Sequence, residues 1–187
     1  MYSGYYSYTR PQPYEDHPLN QLLSNWPQSS KEGAYTMIRK YGMPNEATVS
    51  RLIWYNNGSW KRTIVYQDPV PHNFPTPHPD FLEQTIDYKV PSHLYDEVAN
   101  FDGSVYLDRT RGEASAKCHK EEINFLSLNL LHDIVTGKRD VRGAKAFYAK
   151  MAEQFSKYNI SSPYTQGLLF PKQYHTADPG EIYFRQG

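Results

Sequence analysis

Apolar residues recur along this chain with two different periods, and the alternation between them lays out the expected elements. In the segment 29–42, Ala34, Met37, Ile38 and Tyr41 fall at i, i+3, i+4 and i+7, the stripe of an amphipathic helix. Ser29 and Glu32 have the spacing of a capping box, and Gly42 followed by Pro44 closes the segment. A shorter helix is expected over 18–25, with Pro18 in its first turn and Leu19, Leu22 and Leu23 on one side. The period then changes. VSRLIWYNNGSWKRTIVYQD, rich in β-branched and aromatic residues around Asn56-Asn57-Gly58, predicts a hairpin. A three-residue loop would gather Leu52, Trp54, Trp60, Ile64 and Tyr66 on one face and leave Arg51, Lys61 and Thr63 on the other. Residues 83–90 read as a third strand, ended by Pro91.

The second half repeats the alternation. Leu94, Val98 and Phe101 suggest a short helix stopped by Asp102-Gly103, and SVYLDRTRGEASAKC suggests two strands turning at Arg111-Gly112-Glu113. EEINFLSLNLLHDIVT is apolar around most of its circumference, which predicts a central, buried helix. Asp140 is placed to cap a further helix carrying Val141, Ala144, Tyr148, Met151 and Phe155, antiparallel to the first. The expectation is an α+β fold: an antiparallel sheet of about four to five strands packed against helices, with a Tyr-rich flexible tail (1–16), a single domain (17–157) and an extended C-terminal arm (158–187). Through KYGMP and LIWY, the segment 18–90 resembles small lipoproteins of outer-membrane assembly, without the cysteine that carries their lipid. That resemblance implies a helix pair on a sheet and says nothing about activity.

Composition narrows the functional classes. Lys plus Arg and Asp plus Glu are balanced at 20 each, so no net field draws the chain to nucleic acid or an anionic membrane. No uncharged apolar run approaches about 18 residues, and the single cysteine, Cys118, excludes an internal disulfide. A cytoplasmic protein is expected. Gly-rich phosphate loops, a GxSxG elbow and CxxC pairs are missing from the sequence. Seventeen tyrosines mean that aromatic rings carry much of the packing.

Four sets of residues bear candidate chemistry. PHNFPTPHPD (71–80) offers His72, His78 and Asp80 as metal ligands, but four prolines also suit a stiff crossing between strands with outward-facing histidines. Cys118 precedes a helix start, where a thiol is more readily ionised, with His119 beside it. Asn124, Asn129, His132 and Asp133 are polar residues in an otherwise apolar helix and each needs a partner; Asn129 is a candidate to tie down the proline segment. Tyr5, Tyr6, Trp54 and Trp60 suggest an aromatic binding surface. Since each candidate catalytic residue (Cys118, His132, Asp133) has a structural explanation, a non-catalytic soluble protein acting through protein–protein contacts or self-assembly, with no cofactor, is favoured. The alternative is a metal-dependent or thiol enzyme using the His72/His78/Asp80 segment with His132 or Cys118, a divalent metal being the one cofactor to weigh.

Overall fold

The computed structural model describes residues 18–184. In chain order the elements are α1 (Pro18–Leu23), α2 (Gln28–Tyr41), β1 (Glu46–Ala47), β2 (Arg51–Tyr55), β3 (Arg62–His72), β4 (His78–Asp87), α3 (Tyr95–Phe101), β5 (Val105–Asp108), β6 (Glu113–Cys118), α4 (Glu121–Val135), α5 (Val141–Tyr158) and α6 (Pro163–Gln166). The expected α+β architecture is present, with six antiparallel strands in the order β1-β2-β3-β4-β6-β5. Among the described residues no helix is long and apolar enough to cross a membrane.

Register decides which side chains meet the helices. Leu52, Val65, Leu82 and Cys118 form one cross-strand row, and Trp54, Thr63, Gln84, Ala116 and Val105 form the next. Every member of both rows is buried, and α2 and α4 cover them. The opposite face carries Tyr55, Arg62, Thr85, Ser115 and Tyr106 in one row and Ile53, Ile64, Glu83 and Lys117 in another. Two apolar clusters result. One lies under α1 and α2, and the larger surrounds α4, where Trp60 stacks on Phe125 at 4.5 Å between centroids.

Several expectations are corrected. The β2–β3 connection spans residues 56–61, not three residues, so Leu52 faces Val65 while Ile64 and Tyr66 fall on the other side. Helix α2 begins one residue before Ser29, with Pro27 at its N-cap and no side-chain cap, so the Ser29/Glu32 box does not form. Asp140 does cap α5, accepting a hydrogen bond from Gly143 N at 2.6 Å. Most consequentially, PHNFPTPHPD is not a crossing. It contains the ends of β3 and β4 and the turn of a hairpin whose last pair is His72 opposite His78. Pro69, Pro71 and Pro79 are tolerated because this part of the hairpin runs past the ends of β2 and β6, whose pairing stops at Tyr66 and Leu82, so no ladder bond is lost there.

The C-terminal arm lies against the domain. Asn129 Nδ2 donates to the carbonyls of Tyr164 and Gly167 (3.0 and 2.8 Å), and its Oδ1 accepts from Leu169 N at 2.8 Å. The loop this buried amide secures is therefore the arm, in place of the proline segment. Further along, Phe170 stacks on His132 and Arg109 pairs with Asp178. At the crossing point Gly112 has φ +66°, and a Cβ there would lie 2.1 Å from the Thr176 carbonyl, so only glycine fits.

Candidate metal centre

Strand register explains why a histidine hairpin and a cysteine strand end meet. His78, Asp80 and Leu82 alternate along β4 on the helix-covered face, and Leu82 is the cross-strand partner of Cys118. His72 would point the other way if β3 were regular, because Val65 already occupies the helix-covered face. A bulge between Val65 and Val70 changes the parity, so Val70 opposes Asp80 and His72 opposes His78. Cys118 ends β6 and His119 follows at the bend into α4, which brings its ring within 5.0 Å of the His78 ring.

Two donor sets share His78. In the first, Cys118 Sγ lies 3.4 Å from His78 Nε2 and 3.4 Å from His119 Nδ1. In the second, Asp80 Oδ1 lies 3.1 Å from His78 Nε2 and Asp80 Oδ2 lies 3.2 Å from His72 Nδ1. Around them, the carbonyl of Thr76 sits 2.7 Å from His78 Nδ1, and Asp102 Oδ1 sits 3.5 Å from His72 Nε2. Ser104 Oγ donates to Asp80 Oδ2, and Ser104 N donates to Asp102 Oδ1 at 2.9 Å. Asp80 Oδ1 is buried and, although close to His78, is out of hydrogen-bonding alignment with it and has no other partner among the described residues.

Acidic groups and imidazoles are buried together here. Cys118, Asp80 and Asp102 are all at most 4% exposed. The ionic partners of the two carboxylates are His72 and His78, and no Lys or Arg lies within salt-bridge reach of either among the described residues. The Asp80 carboxylate, then the Cys118 sulfur, raise the His78 pKa to about 10. Burial, assisted by the neighbouring His78 and Lys120 charges, lowers His119 to about 4, so its imidazole is neutral at physiological pH. Burial also pushes the Asp102 carboxyl up. A cavity of about 330 Å³ opens onto His78, Cys118 and His119 and is walled by Thr76, Tyr148 and Phe155.

Of the residues singled out from sequence, His72, His78, Asp80 and Cys118 are brought together here. His132 and Asp133 are not: His132 Nδ1 lies 2.7 Å from Tyr88 Oη, and Asp133 pairs with Arg139 and Lys138 and accepts from Tyr164 Oη at 2.8 Å. Trp54 and Trp60 offer no binding surface, being buried with indole N–H groups donated to Gly42 O and Glu121 Oε1. Tyr5 and Tyr6 lie outside the described residues. Sequence reasoning missed Asp102, which read only as a helix stop, and Ser104, which read only as the start of a strand; their role follows from the path of the chain back to the hairpin. No known protein family, curated protein or solved structure matches this chain.

Proposed function

We propose that the protein is a metal-dependent enzyme in which His78 Nε2, Cys118 Sγ and His119 Nδ1 hold a zinc-class dication whose remaining coordination position faces the 330 Å³ cavity. The observation that carries this reading is the pair of 3.4 Å nitrogen–sulfur separations. With Zn–N near 2.05 Å and Zn–S near 2.3 Å, the nitrogen–sulfur edge of a tetrahedron is about 3.5 Å. A single cation, displacing the protons held there, would satisfy the sulfur and both imidazole nitrogens together. Thr76 supports the same assignment: its carbonyl holds a proton on His78 Nδ1, so the nitrogen that gives up its proton to a metal is Nε2. Charge supports it too, since a dication offsets the buried Asp80 carboxylate, which has no Lys or Arg partner among the described residues.

Three protein ligands and an open fourth position are the arrangement of catalytic rather than structural zinc. An ion so held acidifies a bound water toward neutrality and polarises a carbonyl-like group entering from the cavity. Asp80, with one oxygen lacking a hydrogen-bond partner, is placed beside the ion to take the water's proton. The reading is therefore hydrolytic chemistry on a small polar group. The binding-protein reading rests on the aromatic tail, which lies outside the described residues, and on the C-terminal arm, where Tyr174, Tyr183 and Phe184 are exposed, while Trp54 and Trp60 are buried.

Elemental analysis of protein purified without chelators should find stoichiometric zinc, lost in Cys118→Ala and in His119→Ala. Replacing it with cobalt should give a thiolate-to-metal charge-transfer band that Cys118→Ala abolishes. Protein that is metal-free as isolated and takes up neither ion in titration would sink the proposal.

A further inference from the structure

We infer a second coordination position, built from His72, His78 and Asp80, that takes a harder dication such as Mn²⁺ or Fe²⁺ and competes with the thiolate position for His78. Binding at this position stands on its own geometry; only the competition rests on the zinc reading above.

Both imidazoles are turned by acceptors on their far sides. His78 has its Nδ1 against the Thr76 carbonyl, and His72 has its Nε2 turned toward the Asp102 carboxylate. In each ring the far nitrogen faces an acceptor, so a metal that displaces the near-side proton finds the near nitrogen turned toward it. Those near nitrogens, His78 Nε2 and His72 Nδ1, face the two oxygens of one buried carboxylate at 3.1 and 3.2 Å. The Ser104 hydroxyl lies 3.3 Å from His72 Nδ1 as well, and a dication that takes the place of the ring protons satisfies both nitrogens and the carboxylate together. Ser104 steadies the carboxylate through Oδ2 and leaves Oδ1 without a hydrogen bond.

The spacing and the donors select the ion. Cis edges of an octahedral ion with bonds of about 2.1 Å are about 3.0 Å, close to both separations and shorter than the edges of the sulfur-containing set. Two imidazoles and a carboxylate, with no sulfur, suit Mn²⁺ or Fe²⁺, whereas a thiolate with two imidazoles suits zinc. Because Nε2 of His78 has one lone pair, a single chain holds one of these ions at a time. The bulge in β3 is what makes the second set possible, since a regular strand would carry His72 to the opposite face.

The test separates the two positions by their private ligands. Metal-free Cys118→Ala protein is titrated with Mn²⁺ by calorimetry, with pulsed electron paramagnetic resonance used to count directly coordinated imidazole nitrogens. One Mn²⁺ per chain with two nitrogen couplings is expected, and adding His72→Gln should weaken binding by about tenfold or more. His72→Gln in the otherwise native chain should keep its zinc, which also reports that the hairpin still folds. Absence of Mn²⁺ uptake by Cys118→Ala, uptake without nitrogen couplings, or uptake indifferent to His72→Gln would each overturn the inference. Mn²⁺ binding that depends on His72, in a protein whose native form takes no zinc, would uphold this position while removing the proposed thiolate site.

Discussion

At the scale of single residues, Glu121 shows how a buried charge is kept. Its carboxylate, 3% exposed, accepts from Trp60 Nε1 at 2.6 Å and Gln84 Nε2 at 2.9 Å and also from Lys40 and the Tyr41 hydroxyl. Burial alone would raise its pKa, but these four donors outweigh it and leave the group below its ordinary value of 4.5. A carboxyl more acidic in the folded than in the unfolded chain stabilises the fold above its unfolded pKa, and that contribution is lost as pH falls through the folded value. Glu121→Ala strips two buried donors of their acceptor and should cost about 3 kcal/mol at neutral pH. Urea unfolding would measure this, and the gap to the native protein should narrow once the pH drops below about 4.5. The residue types of the candidate centre were legible at this scale: His72, His78, Asp80 and Cys118 all stood out. That they are neighbours was not, because strand parity at His72 depends on a bulge with no sequence signature beyond Asp68-Pro69.

Helices were more legible than strands, and the reason is physical. Helical neighbours are three and four residues apart, so α4 and α5 could be read within one window, whereas the partner of a strand residue lies wherever the turn puts it. Thus Trp54 was correctly expected to lie beside Leu52, yet its cross-strand partner is Thr63 rather than a residue of the Ile64 and Tyr66 face. The arm shows the same limit. Asn129 announced a buried tie, but nothing local said that its three bonds reach residues 164, 167 and 169. Asn129→Ala should cost about 2–3 kcal/mol, and Gly112→Ala should push the arm off the β5–β6 turn without unfolding the sheet. Limited proteolysis checks both: cleavage near residues 165–180 should accelerate in each variant, with Gly112→Ala leaving the core fragment intact.

For the whole molecule, the metal donors occupy the place where the β3–β4 hairpin, the end of β6 and the start of α4 meet, beside the larger apolar cluster. A cation bound there would join residues distant in sequence and, by binding the folded chain, would stabilise it by mass action. Chelation should therefore lower the melting temperature of the native protein and leave the Cys118→Ala, His72→Gln double variant, which lacks a private ligand of each position, unchanged, as read by differential scanning calorimetry at fixed protein concentration. Beyond this junction the hairpin projects past its neighbouring strands, an arrangement that ordinarily invites another chain to add itself to the exposed backbone. Pro69, Pro71 and Pro79 remove amide hydrogens along that projection. These prolines, two of them from the segment that looked like a spacer, thus act as an anti-zippering guard, letting the hairpin stand clear of its sheet without seeding fibrils.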